Sequence, residues 1–216
     1  MDAAHLKSKF EPLLRVEPES FRIRVHRAIS WLARAEQCKD DPDVRFVLLW
    51  IAFNAAYAQE LGHEQTERDQ VRRFFEKLML LDASERIRSL LLQRYSGPIR
   101  TLIENRYVFE PFWRAVREHD SSDRWETSFN DAKKLALGAV LNGDTVKVIS
   151  IVMDRLYVLR NQLVHGGATH SSKVNRQQVA DGVNILADLV PLVIDLMLDG
   201  HAIDFGAIEY PVIPAS

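Results

Sequence analysis

Residues 146–167 read VKVISIVMDRLYVLRNQLVHGG, and this stretch is the most informative part of the chain. Its apolar residues recur at three- and four-residue steps, which is the spacing of one buried helix face. The residues of this stripe are Ile149, Val152, Leu156, Leu159 and Leu163. Gly166 follows, and glycine is suited to the left-handed conformation that ends many helices. The pattern predicts a buried helix over residues 146–164 that stops at a glycine turn.

Three polar side chains lie near the end of this predicted helix: Arg160, Asn161 and His165. At about 100° per residue, His165 falls opposite the apolar stripe and only about 40° from Asn161. Arg160 lies at the edge of the stripe, and its long side chain can swing to the same surface. The three groups form a candidate phosphate-handling site. A structural alternative stays open, because a terminal histidine often complements the helix dipole and Arg160 could pair with Asp154.

The pattern Arg-Asn-x-x-x-His at the end of an apolar helix resembles the signature of HEPN domains. These are all-helical proteins, and many of them cleave RNA without a metal. Arg160, Asn161 and His165 match that signature with four residues between the arginine and the histidine. A second segment, LLWIAFNAAY at residues 48–57, looks like an early helix of the Apea-like branch of the family.

The resemblance implies a metal-independent endoribonuclease that needs no cofactor. His165 would transfer protons, Arg160 would stabilise the phosphorane, and Asn161 would hold the imidazole or bind a phosphate oxygen. Because one histidine cannot easily serve both sides of an in-line displacement, the family brings two motifs together in a homodimer. The resemblance also implies RNA as partner, a role as a toxin or defence effector, and a cognate regulator protein. Toxins silenced by a partner nucleotidyltransferase usually carry a tyrosine two residues after the histidine. This chain has Gly167 there, so regulation by a nucleotidyltransferase is not expected.

A second hypothesis comes from a different class of protein. The family also contains non-catalytic members, so the chain could be a helical RNA-binding, protein-binding or scaffolding module with a structural Arg-His pair. Two copies of Arg160 and His165 facing a shared cleft would favour the enzyme. Burial of His165 in the core would favour the scaffold.

The rest of the chain also reads as helices, which predicts an all-α, single-domain antiparallel bundle. We expect an N-terminal extension over about 1–19, helices additional to the HEPN core within residues 64–122, and an extended tail over about 200–216. Ser20, Asp41 and Asn175 are the expected caps of three helices. The expected helices cover residues 20–38, 42–61, 84–94, 97–107, 111–119, 123–141, 146–164 and 175–198, with one more that begins at Thr66. A strand is conceivable only over residues 207–213, where Pro211 and the following Pro214 favour a docked extended tail.

Composition is that of an ordinary globular protein, with 47% hydrophobic residues and a net charge of -2. The single Cys38 fits a reducing compartment, and the acidic N-terminus lacks the apolar run of a secretory signal, so we expect a cytoplasmic protein. The longest apolar stretch, residues 179–198, carries Asp181, Asp188 and Asp195, which argues against a membrane span. Their seven-residue spacing predicts one solvated helix face.

Arginines and aromatic residues alternate over residues 86–117, which hold seven arginines and two glutamates. Such a segment could follow a single RNA strand through phosphate contacts and base stacking. The alternative is a set of solvated helix faces with aromatic residues in the core. The aromatic members are Tyr95, Tyr107, Phe109, Phe112 and Trp113.

Four other positions favour structural roles. Asn54 lies among apolar residues and predicts a buried polar bridge, with support of the site as the alternative. His63 and Glu64, with Glu67, lack the second histidine of a metalloprotease pair, so no metal is expected there. Cys38 and His26 are expected at a helix end and on the surface, respectively.

Overall fold

The computed structural model describes residues 1–59 and 66–213, and every regular element in these ranges is helical. This confirms the all-α fold class. The α-helices are α1 (Ala3–Phe10), α2 (Glu19–Gln37), α3 (Pro42–Tyr57), α4 (Glu67–Leu81), α5 (Arg86–Ser89), α6 (Ser96–Glu104), α7 (Glu110–Glu118), α8 (Arg124–Leu141), α9 (Thr145–Val164) and α10 (Arg176–Asp199). Two 3₁₀ turns, Glu11–Arg15 and Arg106–Val108, and a π turn, Leu90–Arg94, lie between them.

The chain divides into two compact units. The first unit comprises Met1–Ser84 and Val183–Ser216, and the second comprises Glu85–Gly182. Helix α10 therefore contributes its first turns to the second unit and its longer remainder to the first. The expectation of a single HEPN-like domain stays a prediction, and each unit is described by itself.

Helices α2 and α3 form the centre of the first unit and pack along one another. The predicted inner face of α2 is confirmed, since Phe21, Val25, Ile29 and Leu32 are all buried. Asp41 caps α3 as expected, because its carboxylate accepts a hydrogen bond of 3.1 Å from the Val44 N–H. Aromatic residues of α3 and α4 then stack on one another in the core, including Phe53 and Phe75, whose ring centroids lie 5.9 Å apart.

The N-terminal residues differ from their prediction. Ser20 is not a cap: α2 begins at Glu19, with Pro18 in the N-cap position, and Ser20 lies within the first turn. Proline favours such a helix start because its φ is preset and no N–H is left unsatisfied. Within the expected extension, Asp2 caps helix α1 by accepting from the His5 N–H at 2.9 Å.

The end of α3 also differs from its prediction. The helix ends at Tyr57 rather than near residue 61, and Ala58 already has an extended ψ of 130°. The expected stop at Gly62, like the pair His63 and Glu64, lies outside the described residues. Thr66 begins α4 as predicted, since its hydroxyl accepts from the Asp69 N–H at 3.2 Å.

A buried arginine fastens the C-terminal segment of the first unit. Arg24 on α2 is 1% exposed, and burial lowers the pKa of its guanidinium to about 10. Nearby, Arg27 donates to the Tyr210 carbonyl at 2.7 Å. Residues 207–213 form no strand, as expected for a docked tail, whereas Pro214 lies outside the described residues. The Arg24 guanidinium donates at 2.8–3.4 Å to the backbone carbonyls of Ala56, Ala58, Phe205, Gly206 and Ala207.

Helix α9 is the centre of the second unit and packs against α6 and α8. Its predicted range is confirmed to within one residue. The break before it is also confirmed: Gly143 has a left-handed φ of +66°, and the Asp144 side chain accepts from the Lys147 N–H at 3.1 Å. The stripe residues Ile149, Val152, Leu156 and Leu159 are buried, and Leu163 is half-buried.

The aspartates of α10 do not form one solvated face, which corrects that prediction. Asp181 and Asp195 are buried, and each has a polar partner that makes burial tolerable. Asp181 accepts from Gln177 Nε2 at 2.9 Å, one turn earlier on the helix. Asp195 forms an ion pair with Lys9 of α1. Among the described residues, no helix has both the length and the apolar character needed to cross a membrane.

Candidate active site

The motif lies in the last turn of α9 and the cap that follows it. His165 is the C-cap residue, and its N–H donates to the Asn161 carbonyl at 2.9 Å. Gly166 has the predicted left-handed conformation, with a φ of +68°. The Gly167 N–H then donates to the Gln162 carbonyl at 2.7 Å, the closing hydrogen bond of a Schellman motif. This cap ends the helix so that His165 is exposed to solvent, as the sequence predicted.

His165 opens onto a cleft of about 750 Å³, which we call the His165 cleft. Asn161 lines the same cleft from one turn earlier, so the structure brings two of the three predicted site residues together. The other walls come from α7, from the 3₁₀ turn before it and from the loop before α10. The remaining lining residues are Tyr107, Glu110, Trp113, Arg117, Val158, Gln162, Gly167, Val174 and Asn175.

Arg160 is placed differently from the other two motif residues. Its side chain is half-buried and does not belong to the described residues that line the His165 cleft. Nη1 donates to Asn161 Oδ1 at 2.8 Å, and the guanidinium carbon lies 5.6 Å from the centroid of the Tyr157 ring. Arg160 is therefore connected to the cleft through Asn161. Since the Asn161 oxygen is engaged by Arg160, its amide NH₂ is the group that can donate to a ligand.

A hydrogen-bond network fixes other side chains that line the cleft. Gln162 Nε2 donates to the Tyr107 carbonyl at 2.6 Å, and Trp113 Nε1 donates to the same carbonyl at 2.8 Å. Asn175 Nδ2 in turn donates to Gln162 Oε1 at 2.6 Å. The first two bonds tie α9 and α7 to one carbonyl oxygen, and the third ties the residue before α10 to Gln162. The aromatic side chains of Tyr107 and Trp113 are thereby held at the edge of the cleft.

Sequence reasoning missed the charged pair that lines this cleft. Arg117 donates to Glu110 Oε1 at 3.2 Å, and Arg114 donates to Glu110 Oε2 at 2.9 Å. Two guanidinium groups share one carboxylate, and Arg117 is the one of them that lines the cleft. His165 and Glu110 are the strongest metal-ligating groups among the described lining residues, and two arginines already engage the carboxylate of Glu110. The arrangement therefore favours binding of an anion.

The Arg-rich, aromatic segment over residues 86–117 contains features of both interpretations. Arg88 and Arg100 form exposed ion pairs with Glu85 and Glu104, as the interpretation of solvated helix faces predicts. By contrast, Arg117 lines the cleft together with Tyr107 and Trp113. The composition of this segment was the signal that could have identified these three residues. Their spacing along the chain did not show that they would meet the motif.

Arg155 also supports the site, and the sequence analysis did not identify it. It is buried on α9, and its Nη1 donates to the Val108 carbonyl at 3.3 Å. Its guanidinium carbon lies 4.5 Å from the centroid of the Phe109 ring. Because Val108 ends the 3₁₀ turn that carries Tyr107, this contact helps to position the Tyr107 side chain. A charged residue inside an apolar stripe gives no local signal of such a role.

The other sequence candidates lie in the first unit. His26 is exposed and Cys38 follows the last residue of α2, as expected. Glu67 accepts a hydrogen bond of 2.6 Å from the Tyr57 hydroxyl, which is a structural contact. Asn54 Oδ1 is buried without a hydrogen-bond partner among the described residues, so the expected polar bridge is not seen there.

Comparison with known proteins adds no relative to this description. No protein-family model, no curated protein and no solved structure matches the chain. The geometry of the His165 cleft and the sequence motif therefore carry the functional argument.

Proposed function

We propose that the chain is a metal-independent endoribonuclease of HEPN type, with Arg160, Asn161 and His165 as its catalytic motif. One observation carries this proposal: an exposed histidine and an asparagine from one helix end line a cleft together with Arg117. Histidine titrates near neutral pH and suits proton transfer, while guanidinium and amide groups bind phosphate oxygens. These are the groups that cleavage of RNA by its own 2'-hydroxyl requires.

In the proposed reaction, the 2'-oxygen attacks the adjacent phosphorus and the bond to the 5'-oxygen breaks. The attacking hydroxyl loses a proton and the leaving 5'-oxygen gains one, and His165 serves one of these transfers. Arg160 stabilises the negative charge of the phosphorane through charge-assisted hydrogen bonds. It reaches the phosphate beside Asn161, the residue to which it is already bonded.

The second proton transfer is assigned to a second copy of His165 in a homodimer. His165 is the one imidazole among the described residues lining the cleft, and an in-line displacement places the two transfers on opposite sides of the phosphorus. A two-fold axis near the end of α9 would bring the two histidines together. We further propose a role as a toxin or defence effector in the cytoplasm, restrained by a cognate regulator protein.

The position of Arg160 favours a second candidate function. An arginine that stacks on Tyr157 and bonds Asn161, without lining the cleft, suits a structural part of the helix end. The protein would then be a non-catalytic helical module that binds RNA or a partner protein, or serves as a scaffold. The His165 cleft would remain its binding surface.

Cleavage of a mixed RNA substrate in excess EDTA distinguishes the two functions. We expect the purified protein to cut RNA and leave 2',3'-cyclic phosphate or 3'-phosphate ends, because the proposed chemistry uses only side chains. DNA of the same sequence should stay intact, since it lacks the attacking hydroxyl. The His165→Ala protein, purified in parallel, controls for contaminating nucleases. Activity that disappears with chelator and returns with Mg²⁺ would rule out this mechanism, and RNA binding without cleavage would establish the second candidate.

A further inference from the structure

An aromatic wall lines the His165 cleft together with the motif residues. It consists of Tyr107 and Trp113, whose ring centroids are 6.4 Å apart. Tyr107 is 42% exposed and Trp113 is half-buried, so both rings can be reached from solvent. Exposed aromatic rings with an arginine nearby, here Arg117, are the features with which proteins bind the bases of single-stranded RNA.

Contacts within the chain hold both rings of the wall in place. The Trp113 indole N–H is fixed on the Tyr107 carbonyl, and the Arg106 guanidinium carbon lies 5.1 Å from the centroid of the Tyr107 ring. A ring that is already ordered loses little conformational freedom on binding, which favours affinity. Trp113 is therefore held in place at the cleft, and the Tyr107 ring beside it is covered on one face by Arg106.

Polar groups of the cleft are suited to the edge of a base. Asn175 uses its Nδ2 to bond Gln162, which leaves Oδ1 as an acceptor at the cleft. Asn161 uses its oxygen for Arg160, which leaves its amide NH₂ as a donor. One acceptor and one donor, with an aromatic platform beside them, can hydrogen-bond the edge of a nucleobase while its face is stacked.

We propose that the His165 cleft is a nucleobase subsite, in which one base of single-stranded RNA stacks on Trp113 and contacts Tyr107, whose ring is tilted by 46° from that of Trp113. The identity of the ligand rests on the proposed function, whereas the subsite itself is argued from the cleft. Arg117 at the rim binds the phosphate of the same nucleotide, which brings that phosphate towards His165. Tyr107 and Asn175 also border a second cleft of about 630 Å³ that contains Arg106, which gives the neighbouring nucleotide a path.

The test is calorimetric binding of AMP, UMP and ribose 5-phosphate to the His165→Ala protein, which cannot cleave. We expect both nucleotides to bind and ribose 5-phosphate to bind at least tenfold more weakly, since it lacks the base. Trp113→Ala should weaken nucleotide binding by about tenfold or more, as expected for loss of a stacking ring. Trp113→Phe, which keeps a ring, should retain most of the affinity.

Trp31→Ala is the matched control, because Trp31 is a similarly exposed tryptophan of the first unit and is 39% exposed. Its affinity for nucleotides should equal that of the parent protein. If Trp113→Ala does not fold, tryptophan fluorescence provides the test. Quenching by UMP that occurs in the parent protein and is lost in Trp113→Phe supports the subsite. Equal binding of ribose 5-phosphate and UMP, unchanged affinity in Trp113→Ala, or no nucleotide binding overturns it.

These results are separable from the proposed ribonuclease. Nucleotide binding that depends on Trp113, without RNA cleavage by the wild-type protein, would support the subsite and contradict the nuclease. Cleavage that depends on His165, with nucleotide affinity independent of Trp113, would contradict the subsite alone.

Discussion

Arg24 in the first unit and Arg117 in the second use their guanidinium groups in opposite ways. In the first unit, Arg24 is buried and its two terminal nitrogens face five backbone carbonyls, so its donors are saturated from within the chain. In the second unit, Arg117 is exposed over 63% of its side chain and lines a cleft beside an exposed histidine. A guanidinium saturated by carbonyls can only hold the fold together. One at a solvent-open rim can exchange its carboxylate partner for a phosphate.

Substitution of Arg24 should give the largest loss of stability. Arg24→Met leaves five carbonyl oxygens without their donor, and we expect the free energy of unfolding to fall by about 3 kcal/mol or more. Urea unfolding followed by circular dichroism measures this. Arg27→Met is the matched control, since Arg27 lies on the same helix with one hydrogen bond to Tyr210 and should cost about 1 kcal/mol. Equal losses in the two variants would show that the carbonyl cluster is not a special anchor.

Substitution of His165 should affect activity and leave stability unchanged. We expect His165→Ala to lower RNA cleavage by roughly 10²-fold or more, the scale for loss of an acid-base group. The unfolding curve should not move, because the side chain is exposed. His26→Ala, a change of an exposed histidine in the first unit, should keep full cleavage. If the His165→Ala protein cleaves RNA at the wild-type rate, or fails to fold, then His165 has a structural role, as Arg24 has.

Arg160 could act as a structural arginine, like Arg24, or as a ligand-binding arginine, like Arg117, and its substitution distinguishes the two roles. If it stabilises the phosphorane, Arg160→Ala should also lower cleavage by roughly 10²-fold, without loss of fold. Asn161→Ala should lower cleavage too, because Asn161 connects Arg160 to the cleft. Rates are compared at saturating RNA, so that weaker binding is not counted as slower chemistry. An Arg160→Ala protein that cleaves normally but unfolds more easily would make Arg160 a structural residue, as Arg24 is.

Several features that depend on local periodicity and on caps were predicted correctly, although Ser20 is not a cap and α3 ends early. The range of α9, the left-handed Gly166 and the cap at Asp41 follow from residues close together in the chain, and they are confirmed. The prediction that Asp181 and Asp195 lie on a solvated helix face was wrong, because both side chains are buried. Asp195 is buried because Lys9, distant in the sequence, supplies its charge partner.

The candidate site was predictable only in part for the same reason. The exposed end of α9 with His165 follows from helical geometry, which is local. The aromatic wall depends on a single carbonyl, that of Tyr107, on which Trp113 and Gln162 converge from distant parts of the sequence. No periodic pattern encodes such a meeting. The composition of residues 86–117 indicated the type of surface, and tertiary packing determined which of its residues reach the cleft.

The proposed dimer gives a prediction about the surface beside the motif. Val164 is 53% exposed next to His165, and an aspartate there should disfavour a two-fold contact. We expect light scattering to show a dimer for the wild-type protein at micromolar concentration and a monomer with weak cleavage for Val164→Asp. Leu141→Asp is the control: Leu141 is 86% exposed and precedes the start of α9, about 30 Å from its other end. A wild-type monomer with full ribonuclease activity would contradict the shared site.

The smallest expected effect is a change in stability caused by the backbone conformation of Gly166, at the end of α9. A Cβ added at Gly166 or at Gly138 would meet no atom within 4 Å, so packing contributes nothing at either position. Gly166 has a φ of +68°, which costs an L-residue about 1 kcal/mol, so Gly166→Ala should be destabilising by that amount. Gly138 lies inside α8, where alanine is preferred, and Gly138→Ala should be stabilising by about 0.5–1 kcal/mol. Urea unfolding should therefore give opposite signs for the two changes. The same sign at both positions would mean that the left-handed cap is not what ends α9 and exposes His165.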